Sequence, residues 1–230
     1  MSEPTYRKRP GGQALFDRVL PGVTVPAQPG PAFAIAPGLL YQSEGQSNTW
    51  LLVTDEGRIV INTGFGFEGP VHRQKYDKID SSPIRYIVFT QGHVDHVGGA
   101  EAFIEPGTEI IAHADNQGHQ ALDELIHGYR MRRIEFAFPG IQAQLEANAE
   151  NTEGVSQPIQ ARPQPTLTFQ NTHAFSLGGV DLELMWIPGG ETNESIIVWL
   201  PQTRIAIVGN LFGALFGHVP NLVTIRGDKY

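Results

Sequence analysis

The sequence predicts an α/β domain in which two sheets are sandwiched between helical layers, a four-layer αββα arrangement. The chain has 230 residues, 40% of them hydrophobic, enough for one substantial core. Strand-like apolar runs crowd both halves, with helical stretches interspersed. Both halves also share one grammar, a strand followed by polar, ligand-capable residues, without any repeat of fixed period.

The elements follow in order. Residues 1–33 are rich in Pro and Gly and read as an arm lying over a domain at 34–230. LLYQSEG (39–45), NTWLLVTD (48–55) and RIVINTG (58–64) are strand candidates, the last two joined by a turn at Asp55-Glu56-Gly57. GPVHRQKYDKIDS (69–81) reads as a helix closed off by Pro83. IRYIVFT (84–90) is apolar nearly throughout, the mark of a buried strand, and VGGAEAFI (97–104) reads as a helix entered through two glycines. TEIIAHA (108–114) is a strand, residues 116–133 a helix with an apolar stripe, and residues 140–165 an insertion or lid. LTFQ, HAFSLGG, VDLELMWIP, SIIVWLP and RIAIVGN supply a second series of strands with tight turns.

Composition excludes several functions. A net charge of −8 argues against nucleic acid or an anionic membrane surface as partner. The absence of cysteine removes disulfides, thiolate catalysis and Cys-ligated zinc. No run approaches the roughly 20 apolar residues of a membrane span, and the basic N-terminus leads into no apolar stretch. The expected location is cytoplasmic.

The chemistry concentrates in FTQGHVDHVGG, residues 89–99. A strand end holds its backbone rigidly while the loop beyond it exposes side chains. His93, Asp95 and His96 can therefore aim two imidazoles and a carboxylate into one pocket, and such groups are ordinary zinc or iron ligands. Gly92, Gly98 and Gly99 permit tight turning around it.

Read as Thr90-Gln91-Gly92-His93-Val94-Asp95-His96-Val97-Gly98-Gly99, this stretch resembles the T-H-x-H-x-D-H-x-G-G motif of the metallo-β-lactamase superfamily. PGGETNES (188–195) stands where many members have P-G-H-T, with Gly190 replacing the histidine and Glu191 the nearest ligand-capable residue. IVGNLF (207–212) is similar to V/T-G-D-x-L-F, with Asn210 at the bridging aspartate. Asn221, Leu222, Thr224, Arg226 and Gly227 are similar to the H-N-L-x-T-x-R-G segment of alkylsulfatase relatives, the nearest branch. Residues 37–64, including Asn48, also have their opening pattern.

The resemblance implies a metallo-β-lactamase-like αββα sandwich and a metal-dependent hydrolase. Its substrate would be a small ester: an alkyl sulfate, a lactone or a thioester. His93, Asp95, His96 and Glu191 would hold the metal, with Gln91 and Asn210 as weaker amide candidates. Asp95 and His93 would carry catalysis, and Arg226 the anionic group of the substrate. Zinc is the expected ion, with iron or manganese open. One per chain is expected, since Asp95 and Glu191 supply two negative charges. Members usually have a last histidine beyond the point where this chain ends at Tyr230. Either the chain is a fragment, a second chain completes the site, or His218 serves; association with itself or another polypeptide is expected. The rival reading is a catalytically silent member of the fold, supported by Gln91, Gly190 and Asn210.

His113 is expected to be structural or to support the metal loop. His72, His119 and His127 read as solvated helix residues, Glu194 as a solvated turn residue, and His173 has no assigned role. Arg130, Arg132 and Arg133 complement a helix C-terminus, with anion binding as the sharper alternative.

Overall fold

The computed structural model describes residues 30–45, 47–129, 132 and 160–211. A seven-stranded sheet runs β1 (Phe33–Ala36), β2 (Leu40–Ser43), β3 (Thr49–Thr54), β4 (Gly57–Ile61), β5 (Ile84–Val88), β6 (Glu109–His113), β7 (Leu167–Phe169), in that spatial order. Its first four strands pair antiparallel and the rest parallel. A four-stranded antiparallel sheet holds β8 (Thr172–Leu177), β9 (Val180–Trp186), β10 (Ile196–Leu200) and β11 (Ile205–Ile207). Strand β1 was not among the expected strands. Its Phe33 is exposed and its burial pattern lacks a clean alternation, so period-two patterning gives it no signal.

Alternation of side chains divides the first sheet's residues between two cores. Ile59 and Ile61 pack with Leu182, Leu184 and Val198 of the second sheet, while Val60 between them packs with Tyr76, Val97 and Phe103. Each such buried side chain contributes about 1.5–3 kcal/mol, against about 0–1 kcal/mol for an exposed ion pair. The frame is therefore held by these two cores. Helix α1 (Gly69–Asp77) supplies Tyr76 to the outer core, and the 3-10 turn Ala100–Ala102 supplies Ala100. These residues show helices and two sheets, the mixed α/β class that the sequence predicts. None of the described helices is long and apolar enough to cross a membrane.

Arg58, at 1% exposure, is a buried charge of the frame. Its guanidinium donates to Asp77 at 2.7 Å and to the carbonyls of Asp80 (2.7 Å) and Ser82 (2.5 Å). It ties the end of α1 to the turn that starts β5.

Two expected helices differ. The helix expected over 97–104 begins earlier, as α2 (Val94–Val97), and breaks at the glycine pair. Gly99 N–H donates across the chain to the Gly64 carbonyl at 2.9 Å rather than back along the helix. The helix expected over 116–133 is α3 (Asn116–Leu125). Of the three arginines placed at its end, Arg132 is exposed, and Arg130 and Arg133 lie outside the described residues. Most of the expected insertion at 140–165 lies outside them too.

His72 is not a solvated helix residue: it is fully buried, and its Nδ1 pairs with Ser43 Oγ at 2.6 Å. It lies on the face of α1 that packs on the sheet, not on its outer face. Burial, helped by the charge of Lys75, pushes its pKa down to about 3 from 6.5. Between those values the unfolded chain binds the proton and the folded chain does not, so stability rises with pH across that window. His72→Asn is expected to flatten this acid limb, read as melting temperature from pH 3 to pH 6.5. An unchanged slope would show that His72 does not contribute.

Candidate metal centre

Thr90, at the end of β5, is where the two sheets meet. Its carbonyl accepts from Ile196 N–H at the start of β10 (2.9 Å), and Gly209 after β11 packs against its side chain. The loops after β5, β9 and β11 therefore open at one place, and each delivers a polar residue there. A Cβ at Gly190 would sit 2.3 Å from that of Ser195, so this loop admits no larger residue in its present shape. The side chain offered is that of the next residue, Glu191.

Gln91, His93, Asp95, His96, Glu191 and Asn210 are brought together around Glu191 Oε2. That oxygen accepts from Gln91 Nε2 at 2.7 Å and Asn210 Nδ2 at 2.8 Å, with His93 Nδ1 at 3.5 Å. Gln91 Nε2 also lies 2.9 Å from His93 Nδ1. His96 Nε2 faces Asn210 Nδ2 at 3.1 Å and Asp95 Oδ2 at 3.4 Å. Burial alone would raise the Glu191 carboxyl, but the hydrogen bonds and charge of His93, with Gln91 and His96, hold it well below the usual carboxylate range. Asp95, like Asn210, is partly exposed, and Ser47 Oγ–H donates to Asp95 Oδ2 at 2.7 Å. Arg226 and His218 lie outside the described residues.

Sequence reasoning missed three neighbours of this centre. Asn62 is fully buried in the left-handed region, at φ 56°. The Thr90 N–H, which can only donate, fixes Asn62 Oδ1 at 2.9 Å and turns Nδ2 onto His96 Nδ1 at 2.9 Å. An N–H at Nδ1 places the neutral ring's proton on Nε2. The signal was present, since INTG ends a strand facing the motif strand, but a strand-end asparagine reads first as a turn residue.

Glu194 is a correction. It is 1% exposed rather than solvated, and its Oε1 accepts the Gly92 N–H at 2.6 Å, so it holds the motif loop. His119 is another, because α3 turns it inward. Its side chain is 13% exposed and its ring lies 4.8 Å, centre to centre, from that of His93. His127 is exposed as expected. His113 stacks on Trp186 at 5.4 Å, and His173 stacks between Phe169 and Phe175.

Residues 43–222 match the family model of the metallo-β-lactamase superfamily. A linear primary-alkylsulfatase of Pseudomonas sp. (strain ATCC 19151) is 24% identical over 194 residues, covering 78% of this chain and 36% of that protein. An alkyl/aryl-sulfatase of Saccharomyces cerevisiae is 24% identical over 205 residues, covering 82% of this chain and 31% of that protein. The chain thus spans about a third of the length of these curated relatives. Among solved structures, a stereoselective inverting sec-alkylsulfatase from Pseudomonas sp. superposes with a TM-score of 0.56 at 24% identity, over 75% of this chain and 30% of that one. The metallo-β-lactamase GOB-18 from Elizabethkingia meningoseptica does so with 0.51 at 23%, over 75% and 56%. A family match over most of the chain joins the two-sheet frame and its shared loop edge to one conclusion: the chain belongs to the metallo-β-lactamase superfamily.

Proposed function

We propose that the chain carries the metal-dependent hydrolase site of an ester-cleaving enzyme, with an alkyl sulfate as the substrate class favoured by its relatives. The observation that supports this is the convergence of two imidazoles and two carboxylates where three loops from both sheets meet.

This donor set fits one divalent cation, zinc by its nitrogen and oxygen donors, with two negative charges to balance it. His93, Asp95, Glu191 and His96 would hold it. The cation would supply Lewis acidity, which lowers the pKa of water to about 7. Asp95, partly exposed and fixed by Ser47 at Oδ2, would take the proton of the attacking water. The buried Glu191 stays ionised and holds His93 in position. Arg226 is the proposed partner of the ester's anionic group.

Asn62 weakens this site. His96 must carry its proton on Nδ1 to ligate through Nε2, and Asn62 offers Nδ1 an N–H instead of an acceptor. Asn62→Asp supplies that acceptor and is expected to raise affinity for Zn²⁺ about 10–100-fold. The check is titration of the chelator-stripped full chain, wild type beside Asn62→Asp. Assay with an alkyl sulfate, a lactone and a thioester follows, before and after Zn²⁺ is returned. Hydrolysis lost on stripping and restored by Zn²⁺ is the expected result. A second reading, a silent member of the fold, is favoured by the two amide N–H groups that satisfy Glu191 Oε2 without any cation. A wild-type chain that binds no Zn²⁺ would sink the hydrolase reading and leave the silent one.

A further inference from the structure

We propose that His93, His119 and Asp123 form a second divalent-cation position, with Glu194 as the carboxylate that orients His119. One ligand atom from each of the three lies within 4.8 Å of the others. His119 and Asp123 stand four residues apart on α3, so one helix face presents both, and His119 Nε2 is 3.4 Å from Asp123 Oδ1. That is already about the separation of two ligand atoms bound at roughly 2.0–2.2 Å to one zinc ion. His93 needs only a small approach to join them.

Glu194 is the observation that points to a ligand. Its buried Oε2 makes no hydrogen bond among the described residues and faces His119 Nδ1 at 3.6 Å. A carboxylate on one ring nitrogen keeps the proton there and presents the other nitrogen to a cation, the arrangement that usually backs a metal-bound histidine. Glu194 also holds Gly92 N–H, so the same carboxylate fixes the loop that carries His93. Asp123 and Gly92 line one small cleft with Gln120 and Ala161. Two imidazoles and one carboxylate suit zinc or iron(II) and disfavour calcium or magnesium.

The position shares His93 with the site proposed above and uses none of its other residues. A neutral imidazole has one free lone pair, so His93 serves one cation at a time and the two positions exclude each other. The inference does not depend on ester hydrolysis.

The test is titration of the stripped full chain with Co²⁺, following visible ligand-field absorption and equilibrium dialysis. In an Asp95→Asn/Glu191→Gln background one equivalent of Co²⁺ is expected to remain bound. Adding His119→Gln or Asp123→Asn should lower its affinity more than 100-fold, and adding Glu194→Gln about 10–100-fold. Either of the first two variants suffices, provided its circular dichroism matches that of the background. If the background loses all binding while wild type keeps it, this inference falls and the hydrolase reading stands. Binding that persists unchanged in the His119 and Asp123 variants also overturns it. A wild type that binds no Co²⁺ overturns both.

Discussion

Glu191→Gln is expected to cost more than 100-fold in Zn²⁺ affinity when made in an Asp123→Asn chain, where only the motif position remains. The substitution keeps the shape of the side chain and removes the one anion on which Gln91, His93 and Asn210 converge. Loss of a group that only supports a ligand costs about 10–100-fold, so loss of the ligand itself should exceed that. Isothermal titration of the paired chains reads the difference directly. Equal affinities would remove Glu191 from the ligand set and leave its low carboxyl pKa as a purely structural property. Glu194→Gln is not a neutral control, because that carboxylate is buried on the motif loop.

Gly99→Ala is expected to destabilise the chain without changing any proposed ligand side chain. A Cβ at Gly99 would lie 2.2 Å from the Thr63 carbonyl oxygen and 2.8 Å from Gly69 Cα, and both are backbone atoms that cannot rotate away. Overpacking of this kind costs about 1–3 kcal/mol. In a chain of this size that lowers the melting temperature by about 2–4 °C per kcal/mol. Thr63 also donates N–H and Oγ1–H to the His96 carbonyl, so the displacement should weaken cation binding as well. Gly118→Ala is the control. It sits exposed in α3 with open space around it, and there alanine should stabilise by about 0.5–1 kcal/mol. Two variants melting alike would refute the packing argument.

The strands were legible because their apolar runs are long and their turns carry Gly, Pro and Asp in the right places. The motif was legible because its ligand-capable residues fall within four residues at a strand end, where sequence proximity and spatial proximity coincide. Glu191 was reached only through resemblance, since nothing local distinguishes it from a turn carboxylate. Glu194 and His119 were misread for the same physical reason. A buried polar residue and a solvated one have the same letter, and what separates them is a partner more than seventy residues away. Asp123, four residues after His119, was the available clue to an inward-facing polar pair. Gly99 was legible as a turn, but its tight approach to Thr63 depends on how two loops cross.

The link between β6 and β7 runs from residue 114 to 166, yet its two ends are fixed side by side as neighbouring parallel strands. Closing a flexible loop depends only on the logarithm of its length, so doubling such a loop costs about 0.6 kcal/mol. Every other neighbouring pair in both sheets is also consecutive in sequence, so lengthening this link breaks no other pairing. It also carries His119 and Asp123 to the rim of the centre, and it returns Gln160 to brace Gly66 and Val94. Insertions here would let a lineage change what the pocket admits while the two-sheet scaffold is inherited unaltered.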